Sequence, residues 1–223
     1  LDAKVAEAEG HATNASDAAD AAATAVAGAG IIANTTLNNY FDGGAGNVTV
    51  TGTNNVGSGP SAGQYLTTGS RNVLGGPLAG RDLFGGSDNV VSGWATMRLA
   101  QGANFNVVIG SSALFSATGA VHSNVDIGAG AAYAYQGNAI VAVGRNALTN
   151  ATGASNVAVG PSAGSIITTG ARNSFYGFSA NAPANANDTI VIGYGATATK
   201  SNEIVIGTGL QTHLNMFGIP FAH

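Results

Sequence analysis

The chain has 223 residues, a net charge of −4 and 34 glycines, and only 8% of its residues are charged. The absence of a basic stripe argues against a nucleic-acid partner, and the absence of cysteine excludes disulfides and thiolate metal sites. No run of about 18 apolar residues is present, so the sequence predicts neither a transmembrane span nor membrane insertion.

The first segment, residues 1–30, is rich in alanine, which favours a helix. With Leu1 at heptad position d, all nine a and d positions over four heptads are apolar, which predicts a coiled-coil stalk. An alanine core buries little apolar area, so this helix needs a strong neighbour. Residues 31–54 are interpreted as a transition segment.

A glycine ladder starts at residue 55 and recurs every 14 to 18 residues. Valine or isoleucine stands three residues before the glycine in nine of ten repeats, asparagine four before in seven, and alanine three after in eight. The repeat is therefore N-V-x-[VI]-G-x-x-A, and it predicts stacked repeats over residues 55–209. The aligned glycines are Gly59, Gly76, Gly93, Gly110, Gly128, Gly144, Gly160, Gly177, Gly193 and Gly207.

Each column of the repeat has a physical interpretation. The residues three and one before the glycine share one face of a strand, and we expect them to line a dry interior together with the alanine. The glycine supplies a positive φ or a close backbone approach. Stacked asparagines can hydrogen-bond from repeat to repeat. One repeat cannot bury its apolar face alone, so the fold class is an all-β repeat solenoid.

The segments Asn106–Gly110 (NVVIG) and Asn156–Ala163 (NVAVGPSA) resemble the head repeats of YadA-like trimeric adhesins and the repeat shafts of trimeric phage tail fibres. The resemblance covers residues 55–207. It implies a trimeric left-handed parallel β-roll, with a short N-terminal trimeric coiled coil on the same axis. Residues 214–223 are apolar and break the ladder, so we expect a C-terminal cap or tip over residues 210–223.

Aromatic residues in the variable stretches provide the candidate ligand-binding surface. Trp94 follows a ladder glycine at a position that holds Arg145 in another repeat, so we expect that position to face outward. Exposed aromatics with arginine form sugar-binding or protein-binding patches, although packing between three chains would also explain them. The candidate residues are Trp94, Arg98, Phe105, Phe115, His122, Tyr133 and Tyr135.

These features predict a receptor-binding fibre or adhesin that attaches a phage or bacterial surface to a cell-surface glycan or protein receptor. We expect a homotrimer, whose avidity would strengthen weak single sites, on a virion tail fibre or in another extracellular or cell-surface location. We expect no catalytic residue and no cofactor. We also expect no metal site, because the four histidines lack metal-ligand spacing.

Two alternatives stay open from the sequence. A fibre-borne polysaccharide depolymerase, a glycosidase or lyase, would need paired carboxylates, for which Asp82, Asp88 and Asp126 are the candidates. An ice-binding or surface-binding solenoid would need a flat column of identical threonines, and most repeats lack one.

Overall fold

The computed structural model describes residues 32–34, 37–47, 49–119 and 121–208. Within these ranges twelve short strands form one sheet, in which neighbouring strands follow each other in chain order. Strand β1 (Ile32–Asn34) pairs antiparallel with β2 (Asn39–Asp42), and all later pairings are parallel. The later strands are β3 (Val56–Ser58), β4 (Val73–Gly75), β5 (Val90–Ser92), β6 (Val107–Ile109), β7 (Val125–Ile127), β8 (Val141–Val143), β9 (Val157–Val159), β10 (Ser174–Tyr176), β11 (Ile190–Ile192) and β12 (Ile204–Ile206).

Each strand occupies the same place in its repeat as the strands beside it. Val73, for example, pairs with Val56 on one side and Val90 on the other, so one sequence repeat is one turn. The prediction of an all-β solenoid is confirmed as a parallel solenoid of about ten turns, with no helix in the described ranges. The predicted coiled coil (1–30) and cap (210–223) lie outside the described residues.

The parallel stack begins earlier than the glycine ladder indicates. Strand β2 lies within the segment interpreted as a transition, yet Tyr40 pairs with Val56 in the register of the repeats. Asn39 stands one residue before Tyr40, as the ladder asparagines stand before their valines. The turn was missed because it lacks the valine and isoleucine that mark the later strands.

From β3 to β11 the interior is lined by the middle residue of each strand and not by its two flanking residues. Val91 and Val108 are fully buried, whereas Val90 is 42% exposed and Ile109 is 40% exposed. The expectation that the valine and isoleucine columns line the interior is therefore wrong. Alternation shows that two positions share a face, but it does not say which face is inside. The expectation for the alanine column is confirmed, since Ala113 and its equivalents are buried.

The ladder glycine combines a positive φ with a close backbone approach. Gly144 has φ +135°, and a Cβ added there would lie 2.5 Å from the carbonyl carbon and oxygen of Gly160 in the next turn. Any side chain would therefore force adjacent turns apart. The same crowding recurs at Gly110 and Gly128, where an added Cβ would lie 2.6 Å from the next glycine.

A second corner of each turn places ordinary residues in the left-handed backbone region. The residue five before the ladder glycine has φ close to 60° in every described turn, as in Ser123 (59°) and Ala139 (58°). Such a conformation costs a non-glycine residue about 1–2 kcal/mol. The cost is offset by hydrogen bonds to neighbouring turns, such as that from Ala139 N to His122 O at 3.0 Å.

The buried asparagines form a continuous hydrogen-bonded ladder, as the sequence predicted. The side-chain Nδ2 of Asn89 donates to Asn72 Oδ1 (2.9 Å) and to Ala103 O (2.8 Å). In turn Asn89 Oδ1 accepts from the backbone N and the side-chain Nδ2 of Asn106, at 3.1 and 2.9 Å. The ladder runs without interruption from Asn39 to Asn124. These bonds satisfy polar groups that water cannot reach.

We expect Gly144→Ala to destabilise the solenoid by about 3 kcal/mol or more, because backbone strain and a clash with the next turn act together. Gly119→Ala is the matched control, since an added Cβ there meets nothing within 4 Å. Thermal or urea unfolding measures both. Equal stability of the two variants would contradict the close approach of the turns.

We expect Asn89→Ala to lower the free energy of unfolding by about 2–3 kcal/mol, because it leaves the backbone N–H of Asn106 and the carbonyl of Ala103 buried without their partner. Asn150→Ala, at an exposed position, should change stability by less than about 0.5 kcal/mol. Urea denaturation measures both variants, and a cost for Asn89→Ala as small as the control would argue against the ladder.

Candidate functional site

A column of arginine and aromatic side chains lies on the wall formed by the segments between the strands, seven residues after the middle residue of a strand. The residue five after the ladder glycine is Arg81, Arg98, Phe115 and Tyr133 in four successive turns. Backbone hydrogen bonds hold these turns in register: Asp82 N donates to Arg98 O (3.0 Å), and equivalent bonds reach Phe115 O (3.3 Å) and Tyr133 O (2.8 Å). We call these four residues, with Tyr65, the cation–aromatic column.

The side chains of the column make contacts between turns in two groups, Arg81 with Tyr65 and Arg98 with Phe115 and Tyr133. Arg81 Cζ lies 5.6 Å from the ring centroid of Tyr65, and Arg98 Cζ lies 5.4 Å from that of Phe115. The rings of Phe115 and Tyr133 are nearly parallel, at 7°, with centroids 5.2 Å apart. A cation over a ring face contributes about 0.5–1 kcal/mol at an exposed site. The stack therefore holds the arginines in defined positions.

The two arginines of the column differ in their charge partners. Arg81 Nη2 lies 2.9 Å from Asp82 Oδ2, and its Nε donates to Asp82 Oδ1 at 3.1 Å. Arg98 has no carboxylate within ion-pairing distance in the described ranges, and its buried Nε has no hydrogen-bond partner. Since Asp82 neutralises Arg81, the column carries one uncompensated positive charge, at Arg98.

Three of the seven sequence-predicted site residues, Arg98, Phe115 and Tyr133, are brought together in the column. Trp94 is 55% exposed, and it lies directly after its ladder glycine at a corner beside the strands. The outward position expected for Trp94 is confirmed. Phe105 is 63% exposed and lies at the left-handed corner before strand β6. Neither Trp94 nor Phe105 shares the repeat position of the column.

His122 and Tyr135 serve the stacking of turns. The backbone N of His122 donates to Asn138 Oδ1 (2.7 Å), and its ring Nδ1 accepts from Asn104 N (3.2 Å). Tyr135 is fully buried, and its hydroxyl donates to Asn138 O at 2.9 Å. The expectation that Tyr135 lies on the outer surface is therefore wrong: it stands seven residues after its glycine, where most other turns place a buried residue, such as Leu66 or Ile167.

Two residues of the column were left out of the candidate set, Tyr65 and Arg81, together with Phe84, whose ring stacks on Tyr65 at 6.1 Å. Extending the repeat alignment to the fifth residue after the glycine would have found Arg81 beside Arg98. Tyr65 and Phe84 occupy other repeat positions, so their contact depended on the side-chain geometry of the folded turns.

The three carboxylates considered for hydrolysis lie in three different environments. Asp82 is paired with Arg81, as described above. Asp88 accepts from Arg71 Nη2 at 2.7 Å, and this bond holds the pKa of Asp88 below its ordinary value. Asp126 is fully buried with both oxygens unpartnered, and burial raises its pKa well above the ordinary value. Two of these carboxylates are thus neutralised by arginine, and the third is enclosed in the core.

The outward side chains of the strands form a second surface feature, which we call the aliphatic strip. It extends along ten strands, β3 to β12, which at about 4.8 Å per strand makes it about 43 Å long. It is interrupted at β10, where Ser174 and Tyr176 occupy the equivalent positions. All of its members are exposed or half-buried, and the repeat positions it occupies hold no charged residue. Its members are Val56, Val73, Val90, Val107, Ile109, Val125, Ile127, Val141, Val143, Val157, Val159, Ile190, Ile192, Ile204 and Ile206.

The comparisons with known proteins found no matching family model, curated protein or solved structure. In the described part of the chain, no helix has the length and apolar character needed to cross a membrane. The same ranges contain no group of three or more histidine, aspartate or glutamate side chains arranged to hold a metal ion. The two surfaces are therefore the features from which a function is inferred.

We expect Asp126→Asn to make stability less dependent on pH. Burial favours the protonated carboxyl, so the folded chain holds this proton more tightly than the unfolded chain. The wild-type protein should therefore lose stability as pH rises from the ordinary aspartate range toward the raised pKa, and the variant should not. Tyr135, whose own pKa is raised by burial and by Asp126, is the titratable neighbour.

The control for Asp126→Asn is Asp188→Asn, which removes an exposed carboxylate whose pKa is lowered by a hydrogen bond from Arg172. That variant should lose a small part of its stability above the ordinary aspartate pKa, which is the opposite direction. Thermal unfolding between pH 4 and pH 9 measures both. Parallel pH profiles for wild type and Asp126→Asn would contradict the assignment.

Proposed function

We propose that the chain forms a homotrimeric fibre shaft or adhesin head that attaches a phage or bacterial surface to a cell-surface ligand, in particular a glycan. The observation that carries the proposal is the aliphatic strip, which stays open to solvent in the single chain. The finer architecture follows from the sequence resemblance: a left-handed β-roll, a coiled-coil stalk at 1–30 and a tip at 210–223.

The strip needs a cover, because an uncharged apolar surface of this length is uncommon on a monomer. Further copies of the same chain are the best candidates to cover the strip, since each copy has a strip of the same length with the same spacing between strands. The number three comes from the resemblance to trimeric fibres. At the C-terminal end, the stacked rings of Phe178 and Tyr194, with centroids 5.1 Å apart, widen the apolar surface beside the strip.

The ligand-binding part of the proposal rests on the cation–aromatic column. It lies on a different wall from the strip, so chains that cover their strips can leave their columns open. Tyr65 and Tyr133 are 43% and 37% exposed, and aromatic side chains with an arginine are common in glycan and protein recognition. Three columns on one rigid shaft would raise a weak single-site affinity through avidity. Such a fibre belongs on a virion tail or another extracellular surface.

Light scattering of the purified chain should give three times the chain mass of 21.8 kDa. Ile127→Asp, which places a charge in the strip, should shift the assembly toward monomer, because burying an unpaired carboxylate costs several kcal/mol. Asn150→Asp adds the same charge at an exposed position outside the strip and should leave the mass unchanged. A monomeric mass for the wild-type chain would contradict the trimer.

Attachment is tested with fluorescently labelled wild-type chain on bacterial or animal cells, before and after enzymatic removal of surface glycans. We expect binding that falls at least about tenfold after glycan removal, and also in the Ile127→Asp chain, because avidity is lost. Absence of binding to every cell type would argue against the attachment function.

A further inference from the structure

We propose that Arg98 is the anchor for the carboxylate of an acidic saccharide, a pyranose that carries a carboxyl group. This inference deepens the proposed attachment function and rests on it. The environment of Arg98 adds the charge of the glycan ligand, because it favours an anionic glycan.

The arginines of the solenoid differ in their charge partners. Arg71 and Arg172 each make a two-bond pair with the aspartate one turn away, and Arg81 pairs with Asp82. Arg98 lacks such a partner in the described ranges. A guanidinium presents a planar fork of donors that matches a carboxylate. On this wall, the guanidinium of Arg98 is therefore the one that has no carboxylate partner in the described ranges.

The guanidinium of Arg98 is held in a fixed position. Arg98 lies over Phe115, and the parallel ring of Tyr133 supports Phe115 from the next turn. Only Nε of its guanidinium is buried without a partner, which leaves the two Nη atoms available at the surface. A side chain that is already held in place loses little rotational freedom when it binds a ligand. This arrangement distinguishes Arg98 from Arg145, an exposed arginine for which no ring contact is present in the described ranges.

The surface around Arg98 suits an acidic saccharide better than an acidic peptide. The backbone of this wall is already bonded from turn to turn, as in the bonds from Asp82 N to Arg98 O and from Ser116 N to Tyr133 O. An extended peptide that binds by adding a strand needs an unpaired sheet edge, and this wall offers none. A saccharide needs only side chains, and the partly exposed Tyr133, whose ring stacks on Phe115, has a hydroxyl that supplies a further polar contact for ring hydroxyls.

The experiment compares matched carboxylated and neutral sugars on the full chain by calorimetry or ligand-observed NMR. The first pair is sialyllactose with lactose, and the second is an oligoglucuronate with its carboxyl-reduced form. We expect the carboxylated member of at least one pair to bind about tenfold or more tightly. The pair that responds distinguishes an animal-cell sialoglycan from a bacterial uronic-acid polysaccharide.

The variants identify the anchor. Arg98→Ala should remove the preference for the carboxylated sugar, Arg98→Lys should retain part of it, and Phe115→Ala should weaken it. Arg145→Ala, which removes an exposed arginine without a ring platform, should leave it unchanged. Light scattering and circular dichroism of each variant establish that assembly and fold are intact. If light scattering gives Arg98→Ala a mass below that of a trimer, the inference is overturned, because Arg98 would then be a contact between chains.

The remaining outcomes separate the two proposals. If the carboxylated and neutral sugars bind equally, or if Arg98→Ala binds unchanged, Arg98 is not the carboxylate anchor. Either result is still compatible with attachment to a glycan. Preferential binding of an oligoglutamate peptide over both acidic sugars also overturns the saccharide assignment. If the chain binds no cell and no sugar, both the anchor and the attachment function fail.

Discussion

The close stacking of each turn on the next is the constraint on which the rest of the molecule depends. Where Gly144 meets Gly160, an added Cβ would lie 2.5 Å from backbone atoms of the next turn, so adjacent turns meet with no space for a side chain. At this separation the backbone N–H and C=O groups bond from turn to turn, and the buried asparagines bond in the same direction. Because equivalent atoms lie above one another, each repeat position becomes a column. The columns then determine both the interior and the surfaces.

The interior is narrow, so a large side chain in one turn requires small residues beside it. Phe41 fills space that a Cβ on Gly57, its strand partner in the next turn, would enter at 2.5 Å. Tyr135 is buried seven residues after its ladder glycine, and the turns on either side have Ala117 and Ala151 at that position. Volume is thus balanced along the columns, which accounts for the mixture of alanine, leucine and aromatic residues in the core.

The same stacking produces two surfaces with different chemistry. On the strand wall, residues that repeat every turn become the aliphatic strip, whose members are partly exposed without any charged residue among them. On the other wall, residues that vary between repeats meet their counterparts one turn away, so that Arg98, Phe115 and Tyr133 form one stack. In the proposed function, the repeated surface is where copies of the chain associate, and the variable surface is where a ligand is recognised.

The sequence by itself determined the periodicity, the stacking of turns, the alanine-lined interior and the asparagine ladder. Each depends on residue type at a fixed spacing, as with Gly144 and Asn89, and a repeat places equivalent residues in equivalent surroundings. Only the tertiary structure decided which face of each strand is inside, because alternation is the same for both faces. It also decided that Tyr135 is core and that Arg98 has no carboxylate partner in the described ranges. Those outcomes depend on how side chains of different turns share space and charge, and the spacing of residues along one chain does not contain that information.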